Sequence, residues 1–301
     1  VVNQDDESIT GDPGVVTSVP TSTTTSEDGA TTTFEVTLRT RPTSDVTVPV
    51  ASNDASEGTA DVSSLTFTPF NWDIPQVVTV TGQDDPFDDG DMAYAIELGP
   101  TSSSDSDYNG LSASDVALTN LDNDASVITV TPIDTQTTEW GETATVEVVL
   151  GALPGADVTI PVSVDDATEG SPDVSSLTFT TANWNVPQTI TITGADDLID
   201  VGDVNYNLVL GPASSAIGDY NGLDPDDVAL VNLDDDTAGV TVTPTDTESS
   251  EDGDTATFDV VLQTQPTEDV IISLASDDAT EGETAVSSII FTTANWNVPQ
   301  T

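Results

Sequence analysis

The chain repeats itself at a fixed interval, and this constrains its fold more than any other feature. Residues 64–76 return in nearly the same order as residues 176–188 and again as residues 288–300. Trp72, Trp184 and Trp296 mark the copies, and each tryptophan follows the previous one by 112 residues. A constant period of this length predicts tandem copies of one domain. Such arrays provide length, rigidity and multivalency more often than single-site chemistry.

The period divides the 301 residues into four segments. We predict that residues 1–8 end a preceding repeat, because residues 2–7 resemble residues 119–124 and 231–236. Repeat 1 then covers residues 9–124, repeat 2 covers residues 125–236, and residues 237–301 form an incomplete repeat 3. We therefore expect the chain to be a section of a longer array.

Short alternating runs predict an all-β fold. Phe34, Val36 and Leu38 alternate with polar residues, and many other short runs show the same alternation. Turn-forming residues, such as those at 27–29 and 89–91, separate these runs. No stretch combines a helical period with caps. Seven or eight short strands in about 112 residues is typical of an immunoglobulin-like β-sandwich. The predicted fold is therefore a tandem array of such sandwiches.

The aromatic residues that recur with the period are interpreted as packing residues. Trp72 and its two copies fall between strands, where a large apolar side chain fills a corner of the sandwich, so a role as ligand platforms is the weaker interpretation. Tyr108 and Tyr220 lie in Asp-Tyr-Asn-Gly-Leu segments, and we predict that each tyrosine anchors a structured loop.

The charge balance restricts the partners. The chain has 55 Asp and Glu residues against two cations, Arg39 and Arg41, with no Lys, His or Cys, and its formal charge is −53. Nucleic acid and anionic membrane surfaces are excluded as partners, because both require a basic face. No apolar run approaches the length of a membrane span, so no insertion of this segment into a membrane is expected. So many like charges repel one another, and we expect divalent cations or high salt to neutralise them.

The acidic residues recur at the same loop positions of each copy, while acidic residues at other positions change, as Asp89 does to Val201. Loops at one end of a sandwich are adjacent in space, so the four sets are expected to converge. The candidate metal ligands are Glu27, Glu139 and Glu251; Asp54, Glu57, Asp166, Glu169, Asp278 and Glu281; Asp84, Asp85, Asp88, Asp91, Asp196, Asp197, Asp200 and Asp203; and Asp122, Asp124, Asp234 and Asp236.

Calcium is the cation that such sets suit. It takes about 6–8 hard oxygen ligands in flexible geometry, whereas zinc prefers the His or Cys ligands that this chain lacks. An EF-hand is excluded, because a loop that started at Asp85 would need its bidentate acid at Ile96. The alternative interpretation is a solvated acidic surface with no bound metal.

Three segments of the chain resemble the Calx-beta family. They are residues 30–38 after the Glu-Asp-Gly turn, the Val-Thr-Val-Pro-Val run at 46–50 with the loop at 54–58, and residues 65–85 with their terminal Asp-Asp pair. The resemblance implies an immunoglobulin-like sandwich that binds calcium through loops at one end. Carried onto this chain, it implies ligation by Glu27, Asp54, Asp84, Asp85, Asp88 and the Asp122/Asp124 pair, and by their counterparts 112 residues later.

Two departures from the family pattern concern the ions. Gly90 and Gly202 stand where the family usually has acidic residues, which affects the number of ions bound at each site. Repeat 3 stops before its Asp-Asp loop, so its site is incomplete within these residues.

These features predict a calcium-binding structural repeat array, which forms a stiff stalk or fibre of an adhesin-type protein at the cell surface. Its expected partners are further copies of the same repeat in the chain and like chains in a fibre. The alternatives are a calcium-sensing regulatory module and an adhesive module that binds carbohydrate or a protein partner. An enzyme is not expected, because the chain has no His, Cys or Lys to serve as base or nucleophile, and no catalytic residue is assigned.

Overall fold

The computed structural model describes residues 11–301, and within this range the chain consists of strands, turns and loops, with no helix. The predicted end of a preceding repeat, residues 1–8, lies outside the described residues. The chain forms two compact units. The first extends to Ser126 and includes the turn Gly151–Leu153, and the second comprises Val127–Leu150 and Pro154–Thr301.

The strands of the first unit are short. They are β1 (Val15–Thr17), β2 (Thr24–Ser26), β3 (Thr31–Leu38), β4 (Val46–Pro49), β5 (Ala51–Ser52), β6 (Gly58–Ala60), β7 (Ser64–Phe67), β8 (Gln76–Gly82), β9 (Met92–Glu97), β10 (Ser102–Ser103) and β11 (Val116–Leu121).

The strands of the second unit repeat this order and begin it a third time. They are β12 (Ile128–Asp134), β13 (Gln136–Thr138), β14 (Thr143–Leu150), β15 (Val158–Val164), β16 (Gly170–Pro172), β17 (Ser176–Phe179), β18 (Gln188–Gly194), β19 (Val204–Leu210), β20 (Ser214–Ser215), β21 (Val228–Leu233), β22 (Val240–Asp246), β23 (Thr257–Leu262), β24 (Val270–Ser273) and β25 (Ser288–Phe291).

Two facing layers make the sandwich in each unit. In the first unit one layer has the order β1-β3-β8-β6, and the other consists of β10-β4-β7 and β2-β11-β9-β5. In the second unit the layers are β12-β14-β18-β16 and β13-β21-β19-β15-β17, with β20 also paired to β15. The predicted all-β, immunoglobulin-like sandwich is confirmed. Among the described residues, the first unit has 11 strands, more than the seven or eight predicted for each repeat. Part of the difference arises because neighbouring segments pair in different sheets: β4 pairs with β7, and β5 pairs with β9.

Alternating side chains from both layers form the cores. Strand β3 buries every second residue, and its Phe34 and Val36 meet Phe67 and Ile96 from the opposite layer in one cluster. A second cluster is formed by the corresponding strands β14–β21, and a smaller third cluster surrounds Phe291. The alternation predicted from sequence is confirmed in these strands, because only one face of each strand is covered.

The recurring aromatic residues pack as predicted. Trp72, Trp184 and Trp296 each lie against the apolar cluster of their own repeat. Tyr108 is buried, and its hydroxyl group donates to the carbonyl of Thr40 and accepts the Thr40 N–H at 3.0 Å. The tyrosine therefore anchors its loop across the end of the sandwich.

Candidate metal centre

Strand directions bring the predicted acidic loops to one end of each sandwich. Strands β2 and β11 run parallel, with Ser26 opposite Leu121, so the residues that follow both strands leave the sheet at the same edge. The N–H of Glu27 continues the pairing by donating to the carbonyl of Leu121 at 3.1 Å. Strand β8 ends at Gly82, opposite Gly58 at the start of β6, so the loops at 54–57 and 83–91 emerge there as well.

Two groups of carboxylates result in the first unit. The first group consists of Glu27, Asp84 and Asp124, and each contributes an oxygen that lies within 4.8 Å of the other two. The second group consists of Glu57, Asp85 and Asp89 on the same criterion. Both glutamates are buried, with 5% of Glu27 and 6% of Glu57 exposed.

The second unit has a different pattern. Glu139, the counterpart of Glu27, belongs to two groups, one with Asp234 and Asp236 and the other with Asp196 and Asp235. The group around Glu57 is not reproduced among the described residues, because Val201 replaces Asp89. The two tips therefore present similar oxygen donors in different arrangements.

Burial and mutual repulsion perturb the acidity of these groups. Burial raises the pKa of Glu27 from 4.5 to about 7, against a backbone hydrogen bond from Asn123, and nearby aspartates raise it further. The pKa of Glu139 rises to about 7 for the same reasons. Burial, reinforced by neighbouring carboxylates, also raises the pKa of Glu57, Asp89 and Asp124. The shared direction shows that the folded chain holds these charges at a cost.

Within residues 11–301, neither arginine contacts these groups. Arg41 donates from Nε to the carbonyl of Pro69 at 3.0 Å, and its guanidinium lies 5.9 Å from the centre of the Phe70 ring. Arg39 packs over Gly11 and Gly14. In the second unit, Oδ2 of Asp236 is buried and has no hydrogen-bond partner among the described residues. Buried carboxylates with these surroundings fit an external cation.

Several predicted ligands accept hydrogen bonds from the backbone of the tip. Asp122 accepts the Gly90 N–H at 2.7 Å and the Asp124 N–H at 2.7 Å. Gly90 has φ 76°, and this left-handed conformation favours glycine. Asp91 accepts the N–H of Asp122 at 3.2 Å. In the second unit Asp234 and Asp203 make the corresponding contacts.

Asp88 and Asp200 connect the tip to the following segment of chain. Oδ2 of Asp88 accepts the Ser126 N–H at 2.7 Å, and Oδ2 of Asp200 accepts the Ala238 N–H at 2.7 Å. These two carboxylates therefore have one oxygen committed to the backbone and one remaining.

The other predicted ligands are not brought into the groups. Asp54, Asp166 and Asp278 are exposed and accept hydrogen bonds from the residue two positions later, which closes a local turn. Glu169 is half-buried, and burial raises its pKa. Asp197 accepts the Ile199 N–H at 2.6 Å. The remaining predicted ligands, Glu251 and Glu281, are exposed and lie in repeat 3.

Sequence reasoning missed two acids and the buried layer beneath them. Asp89 is not among the predicted ligands, because Val201 replaces it in the second copy. Asp235 lies within the repeated acidic run at 234–236 but is not among the predicted ligands either. Beneath the first tip, Asn120 is 1% exposed and accepts a hydrogen bond from the Thr25 hydroxyl at 3.0 Å. That hydroxyl also contacts Tyr94 Oη at 2.9 Å.

The same buried network recurs in the second unit as Thr137, Tyr206 and Asn232. Its repetition at the period was the signal that could have identified it. The network also requires glycine, because a Cβ at Gly82 would overlap Ser26 O and Asn120 Oδ1.

The similarity of this chain to known proteins is low. No family profile matches the sequence, and no curated protein matches it either. The chain is similar to the solved structure titled "Crystal structure of calcium binding domain CBD12 of CALX1.1", with 15% identity, 65% of this chain and 79% of the other covered, and a TM-score of 0.32. It is also similar to domains 4–9 of surface layer protein SbsC, with 11% identity, 88% and 39% covered, and a TM-score of 0.29. A marsupial T cell receptor has 11% identity, 86% and 84% covered, and a TM-score of 0.23.

Within residues 11–301 no helix is both long enough and apolar enough to cross a membrane.

Proposed function

We propose that this chain is a calcium-binding structural array of Calx-beta-type sandwiches, which serves as a stiff extracellular stalk or fibre at a cell surface. The observation that carries the proposal is the position of Glu27 and Glu139. Each is buried among aspartates, and burial with like-charge repulsion raises the pKa of each to about 7. A bound cation offsets this cost, since removing repulsion and supplying ligands stabilises the folded state.

The donor chemistry favours calcium over other cations. All residues of the four groups are Asp or Glu, which offer hard oxygen ligands. Main-chain hydrogen bonds from the loops hold Asp122 and Asp234, so the tip is ordered around the groups. The residues that would hold the ion in the first unit are Glu27, Asp84 and Asp124, and Glu57, Asp85 and Asp89 would hold a second.

The stalk role is supported by the contacts of Asp88 and Asp200 with the chain that follows each tip. Asp88 accepts the N–H of Ser126, and Asp200 accepts the N–H of Ala238; each donor is the second residue of the next predicted repeat. A cation that fixes these loops would also reduce the freedom of this connecting chain. The chain's formal charge of −53 adds a second effect, because neutralisation weakens its self-repulsion.

Thermal unfolding of the full chain tests the calcium proposal. We expect a large rise in melting temperature with millimolar calcium, a smaller rise with magnesium, and the lowest value in chelator. At about a hundredfold excess over Kd, each site contributes about 2.7 kcal/mol. A graded rise with sodium chloride, with no preference for calcium, would show a solvated acidic surface instead. Small-angle scattering tests the stalk role: the maximum dimension should increase with calcium relative to chelator.

A further inference from the structure

Both positive charges of this chain lie on one short turn. Arg39 and Arg41 follow strand β3 at the end of the first unit, and both are exposed. We call residues 39–44 the basic turn. No carboxylate of residues 11–301 lies within 4.0 Å of either guanidinium. The nearby Asp105 is occupied, because it accepts the N–H groups of Thr43 at 2.7 Å and Asp107 at 3.0 Å.

An exposed aromatic ring completes this surface. The Arg41 guanidinium lies 5.9 Å from the ring centre of Phe70, which is 86% exposed. Ala182 and Ala294 occupy the equivalent positions in the other copies. Arg39 and Arg41 are also particular to this copy, since Gly151 and Leu153, then Gln263 and Gln265, replace them. The first copy thus has a basic and aromatic end that the others lack.

The equivalent turn of the third copy shows what this position contacts. In the second unit the Gln265 N–H donates to the carbonyl of Leu198 at 2.6 Å, and Leu198 follows the Asp196-Asp197 pair. Gln265 is half-buried. The turn of the third copy therefore contacts the Asp-Asp loop of the preceding sandwich.

We propose that the basic turn docks the Asp-Asp tip loop of a further sandwich of this kind. The backbone N–H of Arg41 donates to no backbone carbonyl of the described residues. The Arg41 side chain carries a positive charge, which complements a loop lined with carboxylates. Arginine forms strong, directional hydrogen bonds with carboxylates, and arginine and aromatic residues are enriched at the energetic centres of interfaces. Opposite charges also accelerate encounter and exclude wrong partners.

A single repeat is a suitable probe for this surface. Strands β12–β21 and every buried residue of their core lie within residues 127–236, so repeat 2 has a complete sandwich of its own. A fragment of residues 125–236, with folding checked by circular dichroism, presents the Asp196–Asp203 loop without Gln265. A cyclised peptide of residues 193–204 serves as a second probe. Calorimetry with the full 301-residue chain in chelator measures binding independently of calcium.

The matched variant is R39Q/R41Q, which installs the residues of the third copy, Gln263 and Gln265. We expect the wild-type chain to bind the fragment, the variant to bind about tenfold more weakly or worse, and R39E/R41E to lose binding. Asp196→Asn with Asp197→Asn in the fragment should weaken binding in the same way, and higher salt should weaken the wild-type interaction.

Three results would overturn the proposal. They are the absence of binding by both probes, equal binding by the wild-type chain and R39E/R41E, and equally tight binding of a polyglutamate peptide of matched charge. The last result would identify a nonspecific anion contact. None of these outcomes bears on the calcium proposal, because calcium is absent from the measurement.

Discussion

Glu27 and Asp124 are almost a hundred positions apart in sequence, yet their carboxylate oxygens lie within 4.8 Å of each other and of an oxygen of Asp84. The cause is the parallel pairing of β2 with β11, which places Ser26 beside Leu121 and turns both chain segments toward the same end of the sandwich. The proximity of these carboxylates produces an electrostatic repulsion that the proposed cation would remove.

Glu139 is the residue whose loss should most affect calcium binding in the second unit, because it belongs to both groups there. We expect E139Q to remove most of the calcium-dependent rise in melting temperature of this unit. In chelator the same variant should melt at or above the wild type, since it removes a buried charge. E251Q is the matched control, because Glu251 is exposed, and it should leave both curves unchanged. Scanning calorimetry measures both effects, and a calcium response that survives E139Q would contradict the assignment.

In chelator, stability should fall as the pH rises from about 4.5 to about 7. The pKa of Glu27 and of Glu139 is raised in the folded state from 4.5 to about 7, so between these values the folded chain binds more protons than the unfolded chain. The stability that protonation of these two glutamates contributes is complete below pH 4.5 and is lost as the pH passes about 7. Urea unfolding at a series of pH values measures this change in the free energy of unfolding.

The control for this pH series is the double variant E27Q/E139Q. It should show a shallower slope over the same interval, since general repulsion remains but the two buried acids do not. An unchanged slope would attribute the pH dependence to the surface charges alone.

Substitutions at Phe67 and Phe70 test which aromatic residues belong to the core. Phe67 has no exposed surface, whereas 86% of Phe70 is exposed. Phe67→Ala should therefore lower the free energy of unfolding by about 3–5 kcal/mol, because it leaves a cavity between the two layers. Phe70→Ala should change it by less than about 0.5 kcal/mol. Denaturant unfolding measures both, and similar losses from the two variants would contradict the assigned core.

Gly82→Ala should be strongly destabilising, whereas Gly99→Ala should not. A Cβ at Gly82 would overlap Ser26 O and Asn120 Oδ1, but at Gly99 the nearest atom would be Pro49 Cβ at an ordinary 3.6 Å. We expect Gly82→Ala to cost several times more than the roughly 1 kcal/mol typical of point substitutions. It should also weaken calcium binding, since Asn120 lies beneath Glu57, with Nδ2 3.5 Å from Glu57 Oε2. Unfolding and calcium titration of both variants check this, and equal behaviour would show that the site tolerates displacement of Asn120.

Much of the fold could be predicted from local pattern. Alternation along Phe34, Val36 and Leu38 identifies a strand with one buried face, because the period of two is a property of the extended backbone itself. The position of Trp72 against the core follows from the large apolar area that such a residue must cover. The pairing of β4 with β7 and of the adjacent β5 with β9 could not be anticipated, because it depends on which strands meet in the packed chain.

The roles of the individual acidic residues were harder to predict from the sequence than the strands. Comparison of the copies identified the loops, but it weighed each acid by its repetition and so passed over Asp89, which lies with Glu57 and Asp85. It also gave Asp54 and Asp122 the same status as Glu27. The structure shows Asp54 in a local turn and Asp122 binding two backbone N–H groups, because short side chains in loops reach the neighbouring main chain first.

The sequence by itself determined the repeat, the strand pattern, the acidic loops and the scarcity of cations, since each depends on residue identity or on spacing along the chain. Only the tertiary structure decided which carboxylates share a volume and which are buried. That outcome depends on the pairing of strands distant in sequence, such as β2 with β11, and on the exclusion of water from Glu27 and Glu139. Proximity and desolvation are properties of the packed chain, and they make these two glutamates different from the exposed Glu251.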